Sequence, residues 1–109
     1  MINAGALRHR VQILKPSTQK DALGQRVEAF TPIDEPSTVA ASVKNLSGRE
    51  LERAKQVVAE ATHEVIIRYR PRVTKSHRIS FKGRTFAIGH VDNVEELNQL
   101  LRMTCSEVS

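Results

Sequence analysis

The side chains able to ligate a metal, move a proton or attack an electrophile are few in this chain, and they are scattered. Four histidines, His9, His63, His77 and His90, are spread over the sequence, and no two stand at a metal-ligand spacing from each other or from Cys105. Each therefore reads as a surface or half-buried strand residue. Cys105 is the single cysteine, so no intrachain disulfide forms, which fits a reducing compartment. No activating motif surrounds this thiol, and it reads as a strand residue near the C-terminus. The adjacent carboxylates Glu95 and Glu96 have no visible partner for acid–base work and read as a solvated turn. A P-loop, a dinucleotide fingerprint, His-Glu-x-x-His, Cys-x-x-Cys and Gly-x-Ser-x-Gly are all missing from the sequence. The expectation is a protein without catalytic residues, cofactor or metal.

The remaining candidates are cationic. Seventeen Lys and Arg against twelve Asp and Glu give a net charge of +5, enough to tolerate a polyanion nearby. Arg49, Arg53 and Lys55 fall in one cluster, and Arg68, Arg70, Arg72, Lys75 and Arg78 in another. The second could face DNA phosphates, although a plain solvated face explains the same residues. Only Tyr69, Phe30, Phe81 and Phe86 are aromatic, at least two of them at core-facing positions, which leaves little for a base-stacking platform. No helix-turn-helix or zinc finger is visible, so sequence-specific DNA reading is not expected.

The elements that position these residues are mostly short strands. Leu7 to Leu14 alternates, with Val11 and Ile13 on one face and Arg8, Arg10 and Gln12 on the other, and Pro16 is expected to end it. Asp21-Ala22-Leu23-Gly24 reads as a turn, Gln25 to Thr31 as a strand carrying Val27 and Phe30, and Pro32 to Pro36 as a loop. Thr38 to Asn45 is the next strand. Then the period changes. Ser47 and Glu50 have capping-box spacing, and Leu51, Ala54, Val58 and Ala61 form one narrow apolar stripe, so a helix is expected at about residues 48–60. Thr62 to Arg70 is a strand with Val65, Ile67 and Tyr69 on one side. His77 to Phe81 and Arg84 to Gly89 flank Lys82-Gly83 as a hairpin in which Ile79 faces Phe86. Leu100 to Glu107 is the last strand.

With 109 residues, 39% apolar and 27% charged, the chain fits one folded domain spanning 1–109, with a loop-and-helix excursion at about 45–62. There is no βαβ rhythm or internal repeat. The expected class is mainly β: a small antiparallel β-barrel of six or seven short strands with one inserted α-helix and long loops. Val11, Ile13, Val43, Val65, Ile67, Ile79, Phe86, Ile88 and Leu101 should form its core. The N-terminus lacks the apolar run of a signal peptide, and no stretch approaches a membrane span. A protein made in the cytoplasm, with no membrane contact, is therefore expected.

From about Gly5 to Glu107 the chain resembles phage head–tail joining proteins, also called head-closure, stopper or head–tail adaptor proteins. The resemblance is carried by Leu7-Arg8-His9-Arg10-Val11-Gln12-Ile13, by the Asp21–Gly24 turn, by Val39-Ala40-Ala41-Ser42-Val43, and by Ser47-Gly48-Arg49-Glu50 with Ala54. Thr62 to Arg70, the Arg78–Ile88 hairpin and Val91-Asp92-Asn93 complete it. Ala40 and Phe30 depart from the pattern, standing where family members often carry tryptophan.

The resemblance implies a structural head-completion protein of a tailed phage or prophage. It implies a ring in the virion between portal and tail, built of copies that can be monomeric in isolation. That ring would join head to tail and help retain packaged DNA. The implied partners are other copies, a portal or adaptor protein, a tail completion protein, and packaged DNA met without sequence specificity. The alternative in another class is a small OB-like nucleic-acid-binding barrel, suggested by basicity and strand count. The residues nominated for the assembly contact are Arg49, Glu50, Arg53, Lys55 and Val57. Arg68, Arg70, Arg72 and Lys75 are nominated as a DNA-facing or interface group.

Overall fold

The computed structural model describes residues 7–20, 22–33 and 37–108, with backbone alone at 18–20 and 27–28. Asp21 of the expected turn, residues 34–36 of the expected loop, the segment before Leu7 and the side chain of Val27 lie outside the described residues. Seven strands and one helix follow in the order β1 (His9–Lys20), β2 (Arg26–Pro32), β3 (Thr38–Asn45), α1 (Gly48–Val57), β4 (His63–Arg68), β5 (Arg78–Phe81), β6 (Arg84–Asn93) and β7 (Leu100–Glu107). All pairings are antiparallel, in the order β2-β1-β3-β4-β7-β6-β5, and β5 returns to pair with β1. Six strands therefore close a barrel, and β2 is an extra strand on the outer length of β1.

The barrel forms because alternation on each strand supplies an apolar inner face. Val11, Ile13, Val65, Ile67, Ile79, Phe86, Ile88, Leu101, Met103 and Cys105 meet inside it. The expected core is all there except that Val43 packs only half-buried against it. Ile79 pairs with Phe86 as expected, across a Lys82-Gly83 turn whose residues are both left-handed (φ 51° and 78°), the geometry that fits strand twist.

Several boundaries differ from the sequence reading: β4 spans His63–Arg68 and not Thr62 to Arg70, β6 runs past Gly89 to Asn93, and the ends of β1, β2 and α1 shift for physical reasons. Pro16 does not end β1, which runs on to Lys20 beside β2. Ile33 N donates to Ile13 O (3.1 Å), and this fixes the phase of the ladder. Pro16, opposite Phe30, and Pro32, opposite Leu14, then both fall at the alternate pairs that exchange no hydrogen bonds. Neither missing N–H is needed there.

The helix ends at Val57 instead of near 60. Val58 turns to extended backbone while its N–H still reaches Ala54 O (2.8 Å), so Ala61 is buried in the connection and not on a helical stripe. The capping box does not form either. Ser47 makes no side-chain cap, Gly48 is left-handed (φ 57°) at the helix entrance, and the Glu50 carboxylate accepts from Lys44 Nζ instead.

Ile66 has the parity of Glu64, on the face opposite Val65 and Ile67 that alternation leaves outward, yet it is buried. With Leu46 and Ala61 it stands outside the barrel-interior cluster. Glu64, on the same face, borders a groove that α1 overlies. The clamp at the end of this segment is Val58 on β6. A register shift between Ile88 and His90 bulges the strand at Gly89, where a Cβ would come within 2.6 Å of Val58 Cγ1. The absence of a side chain is thus a packing requirement.

Gly89→Ala is expected to lower stability by about 1–3 kcal/mol. Adding Val58→Ala should return part of that loss, so chemical denaturation of the two single variants and the double variant should show non-additivity. Simple additivity would mean that the two residues do not touch.

Candidate functional site: a loosely held helix and a cationic barrel end

The nominated residues fall in two places that the barrel keeps apart. Strand directions define its ends. One end carries the connections into and out of α1, the β5–β6 turn and the close of β7. The other carries the β4–β5 connection, the β6–β7 connection and the departure of the β1–β2 ribbon.

Arg49, Glu50, Arg53, Lys55 and Val57 belong to α1, which lies along the wall made by β4, β7 and β6. All five are exposed, and no residue of the helix is buried. Between helix and wall runs a groove of about 360 Å³. Glu50, Arg53, Ala54 and Val57 line it from the helix, Leu46 from the preceding linker, and Glu64, His90, Asp92, Arg102 and Thr104 from the barrel. The Nε of Arg102 is buried there without a hydrogen-bond partner. An amphipathic helix that seats only Leu51 and Ala54 halfway is weakly anchored by its own chain.

Arg68, Arg70, Arg72 and Lys75 stand at the other end, on the close of β4 and in the loop leading to β5. Arg68, Arg72 and Lys75 are exposed and Arg70 is half-buried. Arg70 and Arg72, with Lys15, Ile33, Val73 and His77, border a cavity of about 340 Å³. Arg68 and Lys75 are not part of that lining. Arg78 is drawn away from the group, its guanidinium lying 4.2 Å over the ring of Phe30.

The groups singled out for chemistry are used structurally. Cys105 is buried in the core, and burial pushes its thiol up to about 12, so no thiolate exists near neutrality. His63, at the start of β4, is buried edge-on against Phe86, with ring centroids 4.7 Å apart. Its Nε2 lies 3.3 Å from Arg84 Nη2, which can only donate, so Nδ1 carries the proton and donates to Thr62 Oγ1 at 2.9 Å. Thr62 Oγ1 also accepts from Glu107 N (2.9 Å), and Arg84 grips the Glu107 carboxylate at 3.0 and 2.6 Å. This set ties the starts of β4 and β6 to the end of β7.

The sequence did not single out Thr62, Arg84 or Glu107 as a cluster. Their link depends on strand pairing between residues far apart in the chain. His9 rests edge-on against Phe81, and His77 takes hydrogen bonds from the Thr74 turn. Glu95 and Glu96 are exposed in a loop where they and Asn98 are left-handed (φ 53–55°), held by Asn93 to Asn98 hydrogen bonds at 2.7 and 3.2 Å. Among the described residues no group of His, Cys, Asp and Glu has metal-ligand geometry, and no helix is long and apolar enough to cross a membrane.

Residues 2–108 match the family model described as "Phage head completion protein". The chain belongs to the phage head completion protein family. Head completion protein gp7 of Enterobacteria phage HK97 is 36% identical, over 77% of this chain and 77% of that protein. The solution structure of protein SF1141 from Shigella flexneri 2a superposes with a TM-score of 0.73 at 26% identity, covering 99% of this chain and 98% of that one. A chain in the virion of a native gene transfer agent particle shares the fold, with a TM-score of 0.58 at 15% identity over 93% and 94% of the two chains. The resemblance read from the sequence is therefore correct. This head completion protein is a structural component of the virion and works with other phage structural proteins.

Two measurements check the site chemistry. Native protein should resist thiol reagents at pH 8 and react at Cys105 only on unfolding; rapid native labelling would contradict its burial. His63 sits below the ordinary 6.5, through desolvation first and the Arg84 charge second. The unfolded chain then takes up that proton before the folded one. The contribution is complete above about pH 6.5 and is lost as pH falls through 6.5 towards the folded value. Melting temperature should fall on acidification from pH 7.5 to 5, and His63→Gln should flatten that slope. An unchanged slope in the variant would assign the pH dependence elsewhere.

Proposed function

We propose that this head completion protein assembles as a ring between portal and tail, joins the two, and helps retain packaged DNA. The helix α1 would be its main assembly contact. The observation that carries this reading is the state of α1. It buries none of its own residues, exposes Arg49, Glu50, Arg53, Lys55 and Val57, and stands off the barrel by a groove. A surface of that kind gains its burial from a neighbour, and its ordering cost is then met at assembly. The barrel supplies the rigid body that a ring of heterologous contacts requires. The partners are further copies, a portal or adaptor protein and a tail completion protein. The chain can remain monomeric until one of these is present.

The cationic barrel end has a separate role in this reading. Arg68, Arg70, Arg72 and Lys75 meet packaged DNA or a neighbouring protein through charge alone. DNA phosphates demand nothing more specific. An OB-like barrel that stacks nucleic-acid bases is disfavoured by the placement of the aromatic rings. Phe81 and Phe86 are in the core, Tyr69 packs against it, and Phe30 is covered by Arg78. No catalytic role enters the proposal, and the whole chain acts as one domain.

Arg49→Glu combined with Arg53→Glu should leave the melting temperature nearly unchanged, since both are exposed. Heads carrying this variant should fail to acquire tails and should lose DNA, as seen by electron microscopy and nuclease sensitivity. DNA-filled, tailed particles in normal number would remove α1 from the assembly contact.

A further inference from the structure

Among the described residues, β1 has no barrel partner beyond Leu14. The strand pairing of residues 15–20 is with β2, and among the described residues β2 has no second strand partner. The result is a two-stranded arm. Six residues at ~3.3 Å each carry it roughly 20 Å from Leu14 to Lys20, which matches a molecule 50 Å long but only 30 and 25 Å across. A two-stranded ribbon by itself is marginal in water. At its tip stands Leu23, the most exposed large hydrophobic side chain among the described residues, at 84%, with Arg26 exposed beside it. Nothing in the barrel requires an apolar side chain at the end of a projecting arm.

The counterpart is on the same chain but out of its own reach. The groove under α1 offers apolar surface from Leu46, Ala54 and Val57, and Val57 is itself 63% exposed. At about 360 Å³ it is roomy enough for a leucine and its flanking backbone. Glu50, Glu64 and Asp92 outnumber Arg53 and Arg102 in its lining, so an arriving Arg26 meets a carboxylate to pair with. The arm leaves the barrel at the end opposite the one where α1 is rooted. A tip-to-groove contact must therefore join two copies.

We propose that the β1–β2 arm of one copy reaches across to the next and seats Leu23 in the groove between α1 and the barrel wall. The inference deepens the ring assembly proposed above and rests on it. It names the two unlike patches that meet. Such a contact leaves one free tip and one free groove at each step, so it propagates head to tail and ends only when a ring closes. It also covers, in one event, both elements that the isolated chain leaves poorly anchored.

The test uses the full chain assembled into heads. Leu23→Cys combined with Val57→Cys should, on mild oxidation, give a ladder of disulfide-linked multimers, while each single variant stays monomeric. Buried Cys105 need not be replaced. Tailed particles in which the double variant remains monomeric would overturn the contact. Leu23→Asp, with an unchanged melt, should yield heads that do not acquire tails, and normal tail attachment would equally overturn it. Deletion of the chain separates the two levels of the argument. Tails joining without the chain would defeat the proposed function itself. If instead deletion abolishes joining and Leu23→Asp restores it fully, the function stands and the arm contact falls. Tolerance of Leu23→Asp together with DNA leakage from Arg26→Glu would place the arm against DNA and reject a copy as its occupant.

Discussion

The barrel exists because three residues of β1, Gln12 to Leu14, pair with β5. His9 to Gln12 pair with β3, Gln12 to Leu14 pair with β5, and from Leu14 onward the strand belongs to β2. The β1–β5 seam is short, yet without it the six strands would be an open sheet with β1 and β5 as unpaired edges. Closure turns one face of every strand inward. That is why Ile13 and Ile79, directly opposite each other across the seam, are among the most completely buried residues. Phe86 then sits opposite Ile79 on the next strand, so the seam and the core are built by the same side chains.

The same constraint decides where the remaining surface elements can go. A strand that has turned from β3 to β5 within six residues must leave the barrel once β5 is spent, because β5 is only four residues long. The arm is the outcome of that mismatch in length. At the opposite end, β3 and β4 pair up to Asn45 and His63, and the excursion between them has to return to the same edge. Leu46 N to Thr62 O at 3.0 Å and Thr62 N to Cys105 O at 2.9 Å close its base. The His63, Arg84 and Glu107 set lies next to that base. The excursion is thus firmly rooted, although its helix is not firmly seated.

Much of this was legible locally. The limits of β3 and β7, the Ile79–Phe86 register and the Lys82-Gly83 turn followed from alternation and turn chemistry, which act over a few residues. The rest depends on who the neighbour is. Pro16 looked like a strand end because a ladder needs its N–H, and only the phase of pairing with β2 removes that need. Ser47 and Glu50 had capping-box spacing, but Lys44 from the end of β3 takes the carboxylate first. Ile66 looked outward because alternation carries no record of what later folds over a sheet.

The two nominated clusters were legible as charge and not as geometry. No pattern in the sequence says that α1 lies along the wall while Arg68 to Lys75 crown one end. This arrangement has a consequence for how a small protein can serve as a joint. Its core is complete without α1 or the arm, as the interior cluster draws almost wholly on the six closed strands. In the assembly proposed above, stability and association would therefore rest on different residues. A barrel that is self-sufficient tolerates an arm and a helix held by few contacts of their own, and those are the elements able to gain most from a neighbour. Were the helix buried as tightly as β4, it would add to the monomer's stability and leave nothing to be covered on assembly. In the proposed assembly, the loose seating of α1 would be the physical condition for a subunit that folds first and binds second.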